Sequence, residues 1–224
     1  MEDGGLLASG KRNLYRFAPD SEASEIFATL VDIPDNQRLN DGKCDALGRL
    51  WVGTMMLEGF AQGKLFKVSG ATNAETMLEG IACSNGVVWS SCSKYMLYID
   101  TPLQKVWRFD FDLESGCIAN RTVAIDTAPY GGWPDGMTID AEGKLWVAIW
   151  GASCVLRFDP DTAELLGKVE LPAQCVTSCA FGGADLKTLY ITTAAVDAEA
   201  NNPDAGCLYA VETDTLGLPA QRMK

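Results

Sequence analysis

A four-residue motif that begins and ends with an apolar side chain returns five times along this chain. It reads Leu-Tyr-Arg-Phe at its first occurrence, and the copies stand at 14–17, 65–68, 106–109, 155–158 and 208–211. Counted at the second residue of each copy, successive copies lie 51, 41, 49 and 53 residues apart. A repeat of roughly 40 to 50 residues indicates a chain assembled from similar units of a few short elements each.

A longer motif supports the same period. Residues 45–53 read Asp-Ala-Leu-Gly-Arg-Leu-Trp-Val-Gly, and 140–148 return this pattern 95 residues later, with weaker copies at 93–99 and 185–191. Each unit thus consists of short β runs separated by turns, and helical periodicity is hard to find. Units of this length with four strands are typical of β-propeller blades. The alternative is a β-sandwich with coincidental spacing.

The phase of the repeat predicts how many blades are present. If the five motif copies are the third strands of five blades, only one β run, at 5–9, precedes the first copy. The sequence therefore predicts an all-β fold with four whole blades and a partial one, about four and a half in total. We expect residues 1–224 to form a single β-propeller domain.

Polar triplets recur at one phase of the unit, before the second strand. They are Asn40-Asp41-Gly42, Ser84-Asn85-Gly86 and Pro134-Asp135-Gly136, with Thr177-Ser178-Cys179 at the matching place in the next unit and Ser178 as its fourth member. Equivalent residues of successive blades face one channel, so Asn40, Asn85 and Asp135 are expected to converge. Side-chain oxygens without His or Cys suit a hard cation such as Ca²⁺ or Mg²⁺. Any one triplet alone would also fit a tight turn.

The composition excludes several kinds of site. The 224 residues include no histidine, which rules out Ser-His-Asp triads, Cys-His dyads, histidine zinc sites and histidine bases. Catalysis would have to use carboxylates, Lys, Tyr, Cys or a metal held by oxygen ligands.

Thirty acidic residues against 18 basic ones give a net charge of −12. This charge disfavours nucleic-acid binding and attracts cations.

The sequence favours a cytoplasmic protein without membrane partners. No apolar run approaches the roughly 18 residues of a membrane span, and the acidic start does not resemble a signal peptide. The eight cysteines are scattered, so we expect them to be reduced and mostly buried, and a zinc site built from them alone is disfavoured. The run at 196–204 is interpreted as a solvated acidic loop.

Four of the six tryptophans fall into two predicted groups. Trp51 and Trp146 stand at the centre of the longer motif and are expected in the blade cores. Trp133 and Trp150 flank the strand of Asp135, where they are candidates for lining a pocket.

Taken together, several segments resemble the gluconolactonase/regucalcin (senescence marker protein) family. The resemblance extends along nearly the whole chain and implies a six-bladed lactonase-type propeller with one divalent cation at its channel mouth. It also implies hydrolysis of sugar lactones. The segments that carry it are 38–43, 53–55, 84–86, 134–137, 139–148 and 181–183.

The resemblance also implies roles for individual residues. Asn85 and Asp135 fall on metal-binding positions of the family, and Asp135 is in addition the expected general base. Arg38 and Asn40 fall on positions that contact the substrate, and Glu58 on a substrate-side acid. The implied cofactor is one divalent cation, calcium first, with zinc, magnesium and manganese as alternatives.

One family feature has no counterpart here. The family's third metal ligand is a glutamate in a Gly-Glu-Gly-Pro-like segment of the first blade, and this sequence contains no such segment. We therefore expect the family's N-terminal blade to be lacking and cation binding to be weak. Truncation, a different ring closure and a non-catalytic remnant are all open at this point. The oligomeric state is open too, although an unpaired sheet edge would promote dimerisation.

Three functions follow in order of preference. The first is a metal-dependent sugar lactonase in which Asp135 takes a proton from water. The second is a calcium-binding propeller without catalysis, which the missing glutamate would favour. The third is a metal hydrolase acting on another ester or an organophosphate.

Overall fold

The computed structural model of the protein describes residues 1–19, 21, 23–196 and 201–224. The middle of the acidic run predicted to be a solvated loop, residues 197–200, lies outside the described residues. The described chain consists of strands and two short 3₁₀ helices, Thr101–Leu103 and Ala128–Tyr130. This agrees with a sequence of short β runs separated by turns, in which helical periodicity is hard to find.

The described strands form five sheets in which consecutive strands are neighbours. The first sheet has three strands: β1 (Leu6–Ser9), β2 (Asn13–Phe17) and β3 (Ser24–Thr29). The second has four: β4 (Gln37–Cys44), β5 (Leu50–Met56), β6 (Gly63–Val68) and β7 (Ala74–Ile81). The third also has four: β8 (Ser84–Trp89), β9 (Tyr95–Asp100), β10 (Lys105–Asp112) and β11 (Cys117–Asp126).

The remaining strands complete the fourth and fifth sheets. The fourth sheet contains β12 (Trp133–Ile139), β13 (Leu145–Trp150), β14 (Cys154–Phe158) and β15 (Leu165–Glu170). The fifth contains β16 (Val176–Gly182), β17 (Thr188–Thr193) and β18 (Leu208–Glu212). All five copies of the four-residue motif lie in strands, namely β2, β6, β10, β14 and β18. Each is the third strand of its sheet, except β2, which is the middle strand of the first sheet.

The number of blades differs from the prediction of four whole blades and a partial one. The described chain has five sheets of the β-propeller blade type, three with four strands and two with three. The fifth sheet ends at β18 because the residues after it bond elsewhere. Gly217 forms an isolated bridge with Asp140, and the carbonyl oxygen of Leu216 accepts a hydrogen bond from Ala141. Pro219, which follows closely, lacks the N–H group that a ladder requires.

The described residues divide into two compact units. The first contains residues 1–85, 112–118 and 220–224, and the second contains residues 86–111 and 119–219. The third sheet contributes to both units, because Ser84 and Asn85 of β8 and the β10–β11 turn cluster with the first. A single domain over residues 1–224 stays a prediction.

Each unit has its own apolar core. In the first unit, Leu14, Leu39, Val52 and Phe66 come from β2, β4, β5 and β6 and pack in one cluster. In the second unit, one cluster of described residues lies between the third and fourth sheets. Another lies between the fourth and fifth sheets and contains Trp146. Trp51 and Trp146 are both buried, as predicted for blade cores.

All eight cysteines have free thiols, as expected, but the expectation that most are buried is wrong. Three are buried (Cys154, Cys175 and Cys179), two are half-buried and three are exposed (Cys92, Cys117 and Cys207). The exposed ones lie at strand ends and in turns, which the scattered spacing could not reveal. No helix among the described residues is long and apolar enough to cross a membrane.

Candidate functional site

The polar triplets of β4 and β12 lie in β-bulges. On β4, Leu39 pairs with Thr54 and pairing resumes at Gly42 with Val52, so that Asn40 and Asp41 both stand opposite one residue. The same irregularity occurs on β12, where pairing stops after Pro134 and resumes at Met137. The tight-turn interpretation is therefore wrong for these two triplets. Bulges of this kind turn a side chain away from the regular pleat and are common beside active sites.

The registers also define which residues are equivalent. On β16 the bulge leaves Thr177 unpaired, between Val176, which pairs with Thr193, and Ser178, which pairs with Thr192. Thr177 therefore occupies the place that the sequence assigned to Ser178. Its hydroxyl lies 2.7 Å from the hydroxyl of Thr192.

Three of the predicted site residues form one hydrogen-bonded row in the first unit. Arg38 donates from Nη1 to the Oδ1 atom of Asn40 over 3.0 Å. Asn40 in turn donates from Nδ2 to the Oδ1 atom of Asn85 over 3.1 Å and to the carbonyl oxygen of Ser84 over 2.7 Å. Arg38 is exposed, Asn40 half-buried and Asn85 buried, so the row runs from solvent into the protein. The structure thus brings together Arg38, Asn40 and Asn85.

Ser84, the residue before Asn85, packs closely against Gly53. Ser84 is fully buried, and a Cβ atom on Gly53 would lie 1.8 Å from its hydroxyl oxygen. No other residue type fits at position 53 without moving Ser84. The Ser84 hydroxyl has no hydrogen-bond partner among the described residues, so shape rather than bonding holds it.

Asp135 is a half-buried residue of the second unit, in the bulge of β12. The backbone around it is tightly packed. A Cβ atom on Gly86 would lie 3.0 Å from the Asp135 carbonyl oxygen, and one on Gly136 would lie 2.2 Å from the hydroxyl of Ser178. Trp133, two residues earlier, pairs with Trp150 and has half of its surface exposed.

Glu58 lies in an exposed segment after β5. Its carbonyl oxygen accepts a hydrogen bond of 3.3 Å from the side chain of Asn36. None of the described hydrogen bonds joins its carboxylate to the row of Arg38, Asn40 and Asn85. Its role stays a prediction.

A carboxyl group that the sequence did not single out lies beside this row. Asp41 accepts a 2.7 Å hydrogen bond from the backbone N–H of Gly42. Burial raises the pKa of the Asp41 carboxyl, and the charge of Lys43 and the Gly42 hydrogen bond only partly oppose that shift. The signal was present, since Asp41 occupies the middle of the first triplet, but its position also suits a turn.

The donor chemistry of the predicted ligands fits a hard cation. An amide oxygen from Asn85 and a carboxylate from Asp135 are both oxygen donors of the type that Ca²⁺ and Mg²⁺ prefer. The described residues contain no cluster of three or more His, Cys, Asp or Glu side chains suited to a metal. A site here would thus depend on amide oxygens as much as on carboxylates.

Comparison with known proteins gives concordant matches. The model of the SMP-30/gluconolactonase/LRE-like region matches residues 1–195. Regucalcin of Danio rerio is 38% identical over 215 residues, which cover 93% of this chain and 72% of that protein. Pentonolactonase XacC of Haloferax volcanii is 34% identical over 230 residues, covering 99% of this chain and 77% of that protein.

Solved structures show the same likeness. The calcium-binding protein regucalcin of Agrobacterium tumefaciens superposes with a TM-score of 0.91 at 27% identity, covering 99% of this chain and 77% of that one. A luciferin-regenerating enzyme superposes with a TM-score of 0.90 at 31% identity, covering 99% and 78%. These matches agree with the motifs of the sequence, and the chain belongs to the SMP-30/gluconolactonase/LRE-like family.

Proposed function

We propose that this protein is a lactonase that hydrolyses sugar lactones with the help of one bound divalent cation. The observation that carries the proposal is the row of Arg38, Asn40 and Asn85, in a chain that is 34% identical to a pentonolactonase. A row of donors and acceptors that runs from solvent to a buried amide suits a polyhydroxylated substrate better than an apolar one.

The cation would be held by Asn85 and Asp135. Calcium is the first candidate, because a relative in the family is described as a calcium-binding protein. Magnesium, manganese and zinc are alternatives. Since Ca²⁺ takes six to eight oxygen ligands and its affinity follows their charge, a pair with one carboxylate predicts weak binding. When bound, the cation would polarise the lactone carbonyl and stabilise the negative charge that develops on its oxygen.

The remaining chemistry belongs to side chains of this chain. Asp135 would take a proton from the attacking water, a role that a carboxylate can fill in a protein without histidine. Arg38, Asn40 and Glu58 would bind sugar hydroxyl groups and hold the ring in one orientation. A lactone is an activated ester, so this modest set of groups is sufficient.

The finer architecture follows the same reasoning. We propose that the five sheets are blades of the six-bladed lactonase-type propeller. In that arrangement the first strands of successive blades face a common channel, which would bring Asn85 and Asp135 to one ion. Support comes from the equivalent bulges of β4 and β12 and from the likeness to regucalcin.

The decisive experiment measures glucono-1,5-lactone hydrolysis by metal-stripped protein, with and without added Ca²⁺, Mg²⁺, Mn²⁺ or Zn²⁺. Asp135→Ala should lower kcat by about 100-fold or more in the presence of the best metal, because both a ligand and a base are lost. Asp126→Ala, which removes an exposed carboxylate elsewhere in the second unit, is the matched control. Hydrolysis by Asp135→Ala at the wild-type rate would overturn the assignment.

The same assay decides between the alternatives. Metal binding without turnover of any lactone would indicate the non-catalytic calcium-binding function, which the regucalcin relatives keep open. Faster hydrolysis of phenyl acetate or paraoxon than of gluconolactone and xylonolactone would indicate a hydrolase for other esters.

A further inference from the structure

The side-chain amide of Asn40 is almost fully used within the protein. Its nitrogen carries two hydrogens, and both are donated, one to the Ser84 carbonyl oxygen at 2.7 Å and one to Asn85 Oδ1 at 3.1 Å. Its oxygen accepts from Arg38 at 3.0 Å. A residue whose only role was to contact substrate would keep donors available for it.

The orientation of this amide is determined by two groups of unambiguous polarity. The Ser84 carbonyl oxygen can only accept, so Asn40 must present its nitrogen there. The guanidinium of Arg38 can only donate, so Asn40 must present its oxygen to it. An inverted Asn40 amide would break both contacts.

This fixed orientation imposes a polarity on Asn85. Because Asn40 offers only N–H groups at this point, the facing atom of Asn85 must be its oxygen. The Asn85 nitrogen points the other way and donates to Cys83 Sγ over 3.7 Å. An inverted Asn85 amide would bring its N–H groups face to face with those of Asn40. Because Asn85 is only 7% exposed, little water is available to supply the hydrogen bonds that would be lost.

We propose that Asn40 is a positioning residue that holds the Asn85 amide in the one orientation that presents its oxygen as a ligand. The inference rests on the proposed function, since the orientation matters for activity only if the Asn85 oxygen binds the cation. An amide oxygen has two lone pairs, so accepting from Asn40 is compatible with binding a cation. Asn40 would then meet substrate only through Oδ1, which selects for a hydroxyl group that donates.

The test compares wild type with Asn40→Ala and with Asn13→Ala. Asn13 is the matched control because it lies in the same unit and also bonds through both ends of its amide, to Tyr15 and Thr29. Calcium calorimetry without substrate should show about 10- to 100-fold weaker binding for Asn40→Ala and no change for Asn13→Ala. Unchanged calcium affinity together with a raised KM would overturn the proposal and leave a substrate contact only.

A second measurement needs neither metal nor activity. The ¹⁵N signals of the Asn85 side-chain amide, assigned by their loss in Asn85→Ala, should move in Asn40→Ala and stay in place in Asn13→Ala. Unmoved signals would overturn the positioning role even if wild type bound no metal, whereas absence of binding by wild type would overturn the metal part of the proposed function. If Asn40→Ala does not fold, Asn40→Leu keeps the side-chain size and serves both measurements.

Discussion

The indole nitrogen of Trp146 donates a 2.9 Å hydrogen bond to the buried carboxylate of Asp140. The same carboxylate accepts from two guanidinium nitrogens of Arg157 and from the backbone N–H groups of Glu142 and Lys144. Asp140 therefore joins the turn before β13 to the core tryptophan and to the third strand of the same sheet. This one side chain fixes three elements of the blade.

Asp140→Asn should lower the free energy of unfolding by about 3–5 kcal/mol, because it removes the buried one of the two carboxylates that pair with Arg157 and leaves only the exposed Glu142. Chemical denaturation followed by tryptophan fluorescence measures this directly. Asp161→Asn is the control, since its ion pair with Arg108 involves a mostly exposed carboxylate and should cost less than about 1 kcal/mol. Equal costs for the two variants would contradict a structural role for Asp140.

The sequence anticipated much of this arrangement but not all of it. The 95-residue repeat makes Asp45 the counterpart of Asp140, and Trp51 indeed donates to Asp45 over 3.0 Å. The cationic partner could not be read from the repeat. In the first unit it is Arg49, four residues after the carboxylate, whereas in the second it is Arg157 on another strand. Repeats predict the common scaffold, and pairing across strands is settled only by packing.

Gly53 and Ser84 provide a second prediction. Gly53→Ala should lower the free energy of unfolding by about 1–3 kcal/mol, because the new methyl group overlaps the buried Ser84 side chain. The double variant Gly53→Ala/Ser84→Gly should regain part of this loss, since the obstructing atoms are then removed. Denaturation of the two single variants and the double variant completes the cycle. Strictly additive effects would show that the two residues are not coupled.

The sequence predicts only part of the candidate site. The blade repeat predicts that Asn40 and Asn85 lie close together, and their side chains are hydrogen-bonded in the structure. The bulge that holds Asn40 arises from pairing with β5 and leaves no local signal beyond the glycine at position 42. Asp41 was overlooked because its burial depends on tertiary packing, which a triplet rich in turn-forming residues does not reveal.

Asp41 gives a pH-dependent prediction. Burial raises the pKa of its carboxyl above the ordinary value of 3.8, so the folded protein holds this proton more tightly than the unfolded chain does. Its stabilising contribution is complete below pH 3.8 and is lost as the pH rises through the raised value. Asp41→Asn cannot titrate, and its amide oxygen can still accept from Gly42.

The stability of Asp41→Asn relative to wild type should therefore increase as the pH is raised from about 3.5 and then level off. Urea denaturation at closely spaced pH values measures the difference. Asp32→Asn, an exposed position in the same unit, controls for the loss of one negative charge. A difference that falls as the pH rises would contradict a half-buried, proton-retaining Asp41.

The thiols of Cys92 and Cys44 should react in opposite ways. Cys92 is exposed, and its pKa is lowered from 9.0 by a hydrogen bond with Ser90 and by the backbone N–H of Lys94. Cys44 is half-buried, and burial raises its pKa to about 11. Since the thiolate is the reactive form, iodoacetamide should modify Cys92 readily near neutral pH and Cys44 only in strong alkali.

Peptide mass spectrometry after timed alkylation at several pH values follows each cysteine separately. The rate at Cys92 should reach half its maximum below pH 9.0, and Ser90→Ala should move that midpoint upward because the bond that favours the thiolate is lost. Cys154, which is buried, reports whether Ser90→Ala has loosened the protein in general, because its thiol is alkylated only when the structure opens. If the midpoint pH at Cys92 is the same in Ser90→Ala as in wild type, the Ser90 hydroxyl does not stabilise the thiolate.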